Sequence, residues 1–221
     1  MVEIGGCAVR KYLLVLDVDS TLIEQEVIEL LADRVGLRDQ VKILTDQAMA
    51  GEIDFRQALL QRVGLLEGLR AEVFQDLLRE IKITTGVPEL ISYIHQSGGL
   101  VGAISGGFSQ VLEPLAKELG LDLFLANNLE VVDGVITGKI SGEIVDSDTK
   151  ARTMLHWAEA NGFDFADTVA IGDGANDVAM LKASGFAVAF RPKDVLRPHA
   201  DLIIEGNSLA PVIAELELRS S

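Results

Sequence analysis

Short runs of consecutive apolar residues punctuate the chain at Tyr12 to Leu16, Leu100 to Ile104, Thr168 to Ile171, Phe186 to Phe190 and Leu202 to Ile204. They do not alternate with polar residues, which is the pattern of strands covered on both faces, as in a parallel sheet. Amphipathic stretches with helix punctuation separate them. Pro88 opens one that stops before Gly98, and TKARTMLHWAEAN precedes Gly162. Strands and helices that take turns in this way predict an α/β fold, a Rossmann-like, doubly wound core with a mainly parallel sheet.

Two segments break the rhythm. Residues 24–81 hold no strand pattern but a series of helical ones: 24–35 before Gly36, 38–50 before Gly51, 54–63 before Gly64, and a last one near 71–81. We read this segment as a helical cap inserted after the first strand, so that 1–23 and 82–221 form the α/β core and 24–81 the cap. An insertion there hangs at the strand's carboxyl edge, where open α/β sheets bind ligands and a lid is useful. The second break is LEVVDGVITGKI, where Asp133-Gly134 between apolar alternations predicts a β-hairpin.

Charge removes some functions from consideration. Asp and Glu total 34 against 19 Lys and Arg, a formal net charge of -15 that opposes binding to nucleic acid or to an anionic membrane surface. A small anionic ligand meets the same repulsion and needs local positive charge from a metal ion, Lys, Arg or a helix N-terminus. Cys7 is the only cysteine, so no internal disulfide can form, and it reads as an inert buried or tail thiol. No run reaches transmembrane length and the opening residues lack a leader pattern, so a cytoplasmic location is expected.

Candidate chemistry gathers at the ends of the predicted strands. DVDSTLI, residues 17–23, puts Asp17 and Asp19 where the first apolar run stops, and an i, i+2 pair at a strand end can converge on one ligand. Alone, such a pair suits a solvated turn whose Ser20 and Thr21 cap the next helix. Its companions change the reading. SGG at 105–107 follows one strand; there the Ser105 hydroxyl can donate to a phosphate while Gly106 and Gly107 let backbone N–H groups approach at the start of the following helix. GDGAND at 172–177 follows another, and Asp173 and Asp177 offer hard oxygen ligands suited to Mg²⁺. Two like charges 4 Å apart repel by about 4 kcal/mol at an effective dielectric of 20, so converging Asp17, Asp19, Asp173 and Asp177 calls for a cation. Lys150, near a predicted helix start where a base fits the macrodipole poorly, can supply positive charge.

DVDSTLI at 17–23, SGGF at 105–108, Lys150 and GDGAND at 172–177, four motifs in this chain order, resemble the haloacid dehalogenase-like superfamily of phosphotransfer enzymes, and more closely its phosphoserine phosphatase family. The likeness spans nearly the whole chain. Glu24-Gln25-Glu26, AMAGEIDF at 48–55 and LLQRVGLL at 59–66 are similar to that family's helical cap. Val18 stands where many relatives have Phe or Met, which alters volume but not chemistry. With the first motif at residue 17, the regulatory amino-acid-binding domain that some relatives carry ahead of it is not expected.

The resemblance implies a Mg²⁺-dependent phosphatase that hydrolyses O-phospho-L-serine, the last step of serine biosynthesis. Asp17 is then the nucleophile that forms an aspartyl-phosphate, and Asp19 the acid and base of the two half-reactions. Mg²⁺ is held by Asp17, the Asp19 backbone carbonyl and Asp173. Ser105, Gly106 and Lys150 hold phosphate oxygens, Asn176 contacts substrate, and Asp177 keeps Lys150 and the metal oriented. In the cap, Glu26 and Arg62 recognise the amino acid, a carboxylate suiting the α-ammonium and a guanidinium fork the α-carboxylate. Met49 and Phe55 cover the substrate. The expected partner is a small phosphorylated amino acid, with the protein a monomer or homodimer. Transfer of the phosphoryl group to an alcohol such as homoserine, hydrolysis of another small monoester, and non-catalytic phospho-ligand binding remain as alternatives.

Overall fold

A computed structural model describes residues 10–220, so Cys7 lies outside the described residues. Its sheet runs in the order β4 (Val135–Ser141), β3 (Leu123–Val132), β2 (Leu100–Phe108), β1 (Leu13–Leu16), β5 (Thr168–Gly172), β6 (Phe186–Phe190), β7 (Leu202–Ile204). Neighbours are parallel except β3 and β4. The helices are α1 (Val27–Asp33), α2 (Arg38–Met49), α3 (Phe55–Gly64), α4 (Val73–Glu80), α5 (Val87–Gln96), α6 (Ser109–Leu119), α7 (Ser147–Ala160), α8 (Val178–Lys182) and α9 (Ala210–Ser220).

β1 is central and wholly buried, and its side chains feed two cores. Leu13 and Val15 join Ile104 and Ala170 beneath Met154 of α7 and Met180 of α8. Leu14 and Leu16 point the other way, into a larger cluster with residues of α5, α6 and α9. Burying each such side chain stabilises the fold by about 1.5–3 kcal/mol, which is why the run carries no polar face. The predicted parallel core is therefore present, with β1 at its middle and Asp17 at its carboxyl edge.

Three details differ from the sequence reading. β3 starts at Leu123, and its first half pairs in parallel with β2 before its second half turns into the hairpin; the sequence pattern marked only the hairpin. Its first half is itself a short apolar run, Leu123 to Ala126, of a length that strand and helix share, and it stands half-exposed shortly after α6. Secondly, the first cap helix starts at Val27 and not at Glu24. The chain between them folds back, with Ser20 N–H bonded to the Gln25 carbonyl at 3.1 Å and Glu26 extended at φ -95 and ψ 110. Thirdly, SGGF continues the strand, and α6 begins only at Ser109.

Helices α1–α4 leave and return through a stem in which Ile23 bridges Ile83, Glu24 N–H bonds the Lys82 carbonyl and Thr84 N–H bonds the Leu22 carbonyl. The hairpin turn has Asp133 at φ 50 and Gly134 at φ 76, the paired positive φ values that favour Asp-Gly in a two-residue connection. Backbone bonds from Gly68 N–H to the Ile136 carbonyl and from Ala71 N–H to the Gly134 carbonyl tie this hairpin to the helical segment.

Candidate active site

The expected site residues come from distant parts of the chain and meet where β1, β2 and β5 end. Asp17 continues the sheet through its N–H, which bonds the Ile171 carbonyl at 2.8 Å, and then the backbone leaves the strand. Lys150 is fully buried and reaches two carboxylates: Asp17 Oδ1, by a short contact, and Asp177 Oδ1 at 2.7 Å. Asp177 Oδ2 accepts from the N–H groups of Asp173 at 3.0 Å and Gly174 at 3.2 Å, so it holds the GDGAND turn and Lys150 together. Gly172 is required by that packing, since a Cβ there would lie 2.4 Å from Asp177 Cγ.

Asp19 turns back from the strand, and its Oδ1 accepts from Val27 N–H at 3.0 Å. It thereby satisfies an orphan donor at the N-terminus of α1, an anion at the positive end of a helix. Ser20, at φ 58, makes the reversal and donates its hydroxyl to Glu26 Oε1 at 2.6 Å. Thus the turn that carries Asp19 also orients Glu26, and Ser20 is not the helix cap that the bare motif suggests.

A narrow pocket unites the two halves. Asp17, Asp19, Gly106, Gly107 and Asn176 line its sheet side, and Glu26, Met49, Phe55 and Arg62 its helical side. Phe55 lies over Gly106, where a Cβ would come within 2.6 Å of its Cζ, and Met49 lies over Gly174, where a Cβ would come within 2.7 Å of its Sδ. Arg62 is 2% exposed. Its Nε donates to the Ala58 carbonyl at 3.1 Å and one terminal nitrogen to Thr45 Oγ1 at 2.8 Å, but it makes no ion pair among the described residues. Sequence reasoning missed Thr45 because one threonine inside an amphipathic helix carries no signal of the partner it meets. Ser105 Oγ accepts from Gly107 N–H at 2.8 Å, which leaves its own proton free to donate.

Burial dominates the electrostatics. It pushes the Asp17 carboxyl up to about 7, helped by the Asp177 charge and opposed by Lys150. It pushes Asp19 up to about 7 against the Val27 N–H, and Glu26 up to about 8 with help from the Asp19 charge. Asp173 stands well above the ordinary range for the same reason, with Asp17 and Glu26 adding to it. Burial alone would depress Lys150, but Asp17 and Asp177 outweigh it and hold the ammonium above the usual lysine value. Burial also lowers Arg62, against the pull of Glu26 and Asp19.

The donor set fits a hard divalent cation. Asp17, Asp173 and Asp177 place carboxylate oxygens within 4.8 Å of one another. Asp17 Oδ2 and Asp173 Oδ1 are buried with no hydrogen-bond partner, whereas both Asp177 oxygens are engaged. Buried carboxylate oxygens without partners are costly unless a cation meets them.

A family model described as haloacid dehalogenase-like hydrolase matches residues 14–182, the span from β1 through the GDGAND turn into α8. The chain belongs to that family. Within it, the chain is 45% identical over 207 residues to a phosphoserine phosphatase of Streptococcus thermophilus, covering 94% of this chain and 96% of that one. A solved phospho-aspartyl intermediate analogue of a phosphoserine phosphatase superposes with a TM-score of 0.90 at 37% identity, over 93% of this chain and 99% of that one. A substrate-bound phosphoserine phosphatase complex superposes equally well, with a TM-score of 0.90 at 36% identity over 93% and 98%. This hydrolase family therefore meets the chemistry of the pocket: paired buried carboxylates, a buried lysine and a glycine-rich bulge at the carboxyl edge of a parallel sheet.

Proposed function

We propose that this chain hydrolyses O-phospho-L-serine to L-serine and phosphate through an aspartyl-phosphate on Asp17, with helices α1–α4 acting as the cap over the site. The observation that carries the substrate reading is Arg62, a buried guanidinium with no carboxylate of its own, across a pocket from Asp17 and Asp19 and near Glu26. A buried cation without a partner is costly unless a ligand supplies the anion. An amino acid's α-carboxylate does so, and its α-ammonium meets Glu26. The relatives' names and the phospho-aspartyl analogue among them support the same reaction.

In the first step a carboxylate oxygen of Asp17 bonds to phosphorus as the bond to the serine oxygen breaks, and Asp19 gives its proton to the leaving alkoxide. A carboxyl near 7 is suited to that donation at neutral pH. In the second step Asp19 takes a proton from water, the water oxygen bonds to phosphorus, and the bond to Asp17 breaks, restoring both aspartates. Ser105, the Gly106 N–H and Lys150 hold the phosphoryl oxygens, and Met49 and Phe55 exclude bulk water. Asn176, whose buried Oδ1 has no hydrogen-bond partner, faces the substrate, and Asp177 keeps Lys150 in place. Asp17, Asp173 and the Asp19 carbonyl would hold Mg²⁺, whose charge lets the nucleophile and the phosphate, both anions, approach each other. No helix among the described residues is long and apolar enough to cross a membrane.

The test is phosphate release by metal-free protein from L-phosphoserine, phosphothreonine and an aryl phosphate, each with and without Mg²⁺. Fast release that needs Mg²⁺ and prefers phosphoserine is expected. Cleavage of the aryl phosphate alone would keep Asp17 and Asp19 but remove the Glu26 and Arg62 assignment. A phosphorylated acceptor alcohol in place of free phosphate would turn the reading to transfer.

A further inference from the structure

The ladder between β2 and β3 has an irregularity at the site. Ser105 pairs with Ala126, yet the next pair is Phe108 with Asn127, so Gly106 and Gly107 bulge out of the strand toward the pocket. Such a bulge re-aims backbone groups but leaves some of them without ladder partners. One of these, the Gly106 carbonyl, accepts from Asn127 Nδ2 at 2.8 Å. The other end of the same side chain accepts from Val145 N–H at 2.8 Å. Neither backbone group can take the opposite role, so the amide orientation of Asn127 is unambiguous. Asn127 is fully buried, and both its amide nitrogen and its amide oxygen are engaged with backbone.

We infer that Asn127 is a positioning residue that holds the two phosphate-binding elements in one frame. On one side it fixes the Gly106–Gly107 peptide, whose N–H at Gly107 donates to Ser105 Oγ and thereby aims the Ser105 proton outward. On the other it fixes Val145, which adjoins Asp146. Asp146 in turn caps α7 by accepting from Thr149 N–H at 3.0 Å, and its carbonyl accepts the Lys150 N–H at 2.9 Å. The SGG bulge and the lysine helix thus meet through one amide. Neither end of Asn127 touches the Glu26 and Arg62 side of the pocket. Its loss should weaken the grip on phosphate and leave the grip on the amino acid alone.

This inference rests on the phosphate site proposed above and is tested by calorimetric binding of two probes, inorganic phosphate and L-serine, to the Mg²⁺-loaded protein. Asn127→Leu keeps the volume and adds no charge; Asn127→Ser, with room for a water, serves if the leucine variant melts below the assay temperature. Phosphate affinity should fall about 10–100-fold, as when other orienting partners are removed, with L-serine affinity within about 2-fold of wild type. The same variant should lower kcat/KM for phosphoserine and for an aryl phosphate by similar factors. Unchanged phosphate affinity, or a parallel fall in both ligands, would overturn the role and leave Asn127 a packing residue. Wild-type protein that binds phosphate but not L-serine would fault the amino-acid reading, and a retained phosphate loss in the variant would still support Asn127.

Discussion

Lys150 and Arg62 are both buried cations in one site, and the fold treats them oppositely. Lys150, fully buried, has two carboxylates, Asp17 and Asp177. Arg62, 2% exposed, has only a backbone carbonyl, a threonine hydroxyl and the face of Phe55, whose centroid is 6.0 Å from its Cζ. The charge on Lys150 is therefore answered by the protein's own carboxylates even before a ligand arrives. That on Arg62 has no carboxylate partner among the described residues and, on the proposed reading, awaits the substrate. The sheet end of the pocket pairs its cation internally while leaving Asp17 Oδ2 and Asp173 Oδ1 without partners, whereas at the helical end the cation itself has no carboxylate partner among the described residues.

The sharpest way to break this comparison is at the nucleophile. Asp17→Asn should retain the fold and lose at least about 10⁴-fold in turnover, measured as phosphate release by purified protein. Near-normal turnover would remove Asp17 from the covalent step. Next in size is Lys150→Met, which leaves Asp17 and Asp177 facing each other without the ammonium between them. Breaking a buried pair in this way costs about 3–5 kcal/mol, read from urea unfolding; a loss under about 1 kcal/mol would show that the network is not structural. Arg62→Leu should behave in the contrary manner, raising KM for phosphoserine about 10–100-fold while melting no lower than wild type, because a desolvated, unpaired charge is gone. A lower melting temperature with unchanged KM would reverse its assignment.

A milder contrast comes from pH. Carboxyls whose folded pKa stands above the unfolded value bind protons more tightly when folded. Their contribution to stability is complete below the unfolded value and drains away as pH rises through the folded one. With Asp17 and Asp19 at about 7 and Glu26 at about 8, metal-free protein should melt progressively lower between pH 5 and pH 8. Mg²⁺ should raise the melting temperature more at pH 8 than at pH 5, and equal effects at both would detach the metal from these acids. The smallest effect belongs to the exposed Arg56–Asp146 pair at 3.4 Å, which spans α3 and the cap of α7. Arg56→Ala should cost under about 1 kcal/mol in urea, and less still in high salt.

Some of this was legible residue by residue. The buried strands announced themselves as unbroken apolar runs, the Asp133-Gly134 turn by residue types that tolerate positive φ, and the helices of 24–81 by their stopping glycines. The candidate motifs DVDSTLI, SGG and GDGAND stood out because each sits where an apolar run ends, whereas Lys150, inside α7, was marked only by its misfit with the helix macrodipole. The first half of β3 was hidden because a short apolar run, Leu123 to Ala126, shortly after a helix does not by itself tell strand from helix. Asn127 was hidden for a related reason: its two partners are backbone groups 18 and 21 residues away in sequence, and the backbone has no letter in a sequence.

What the sequence by itself determined is therefore the set of elements and the chemistry at their ends, since periodicity and turn chemistry act over a few residues. Only the tertiary structure decided which charges are spent on each other and which are left without a partner. It set Lys150 between Asp17 and Asp177, bent the chain at Ser20 so that Asp19 caps α1, and left Arg62 unpaired. The reason is physical: pairing and desolvation depend on distance and burial, and both arise only when segments separated by as many as 133 residues are packed against one sheet edge.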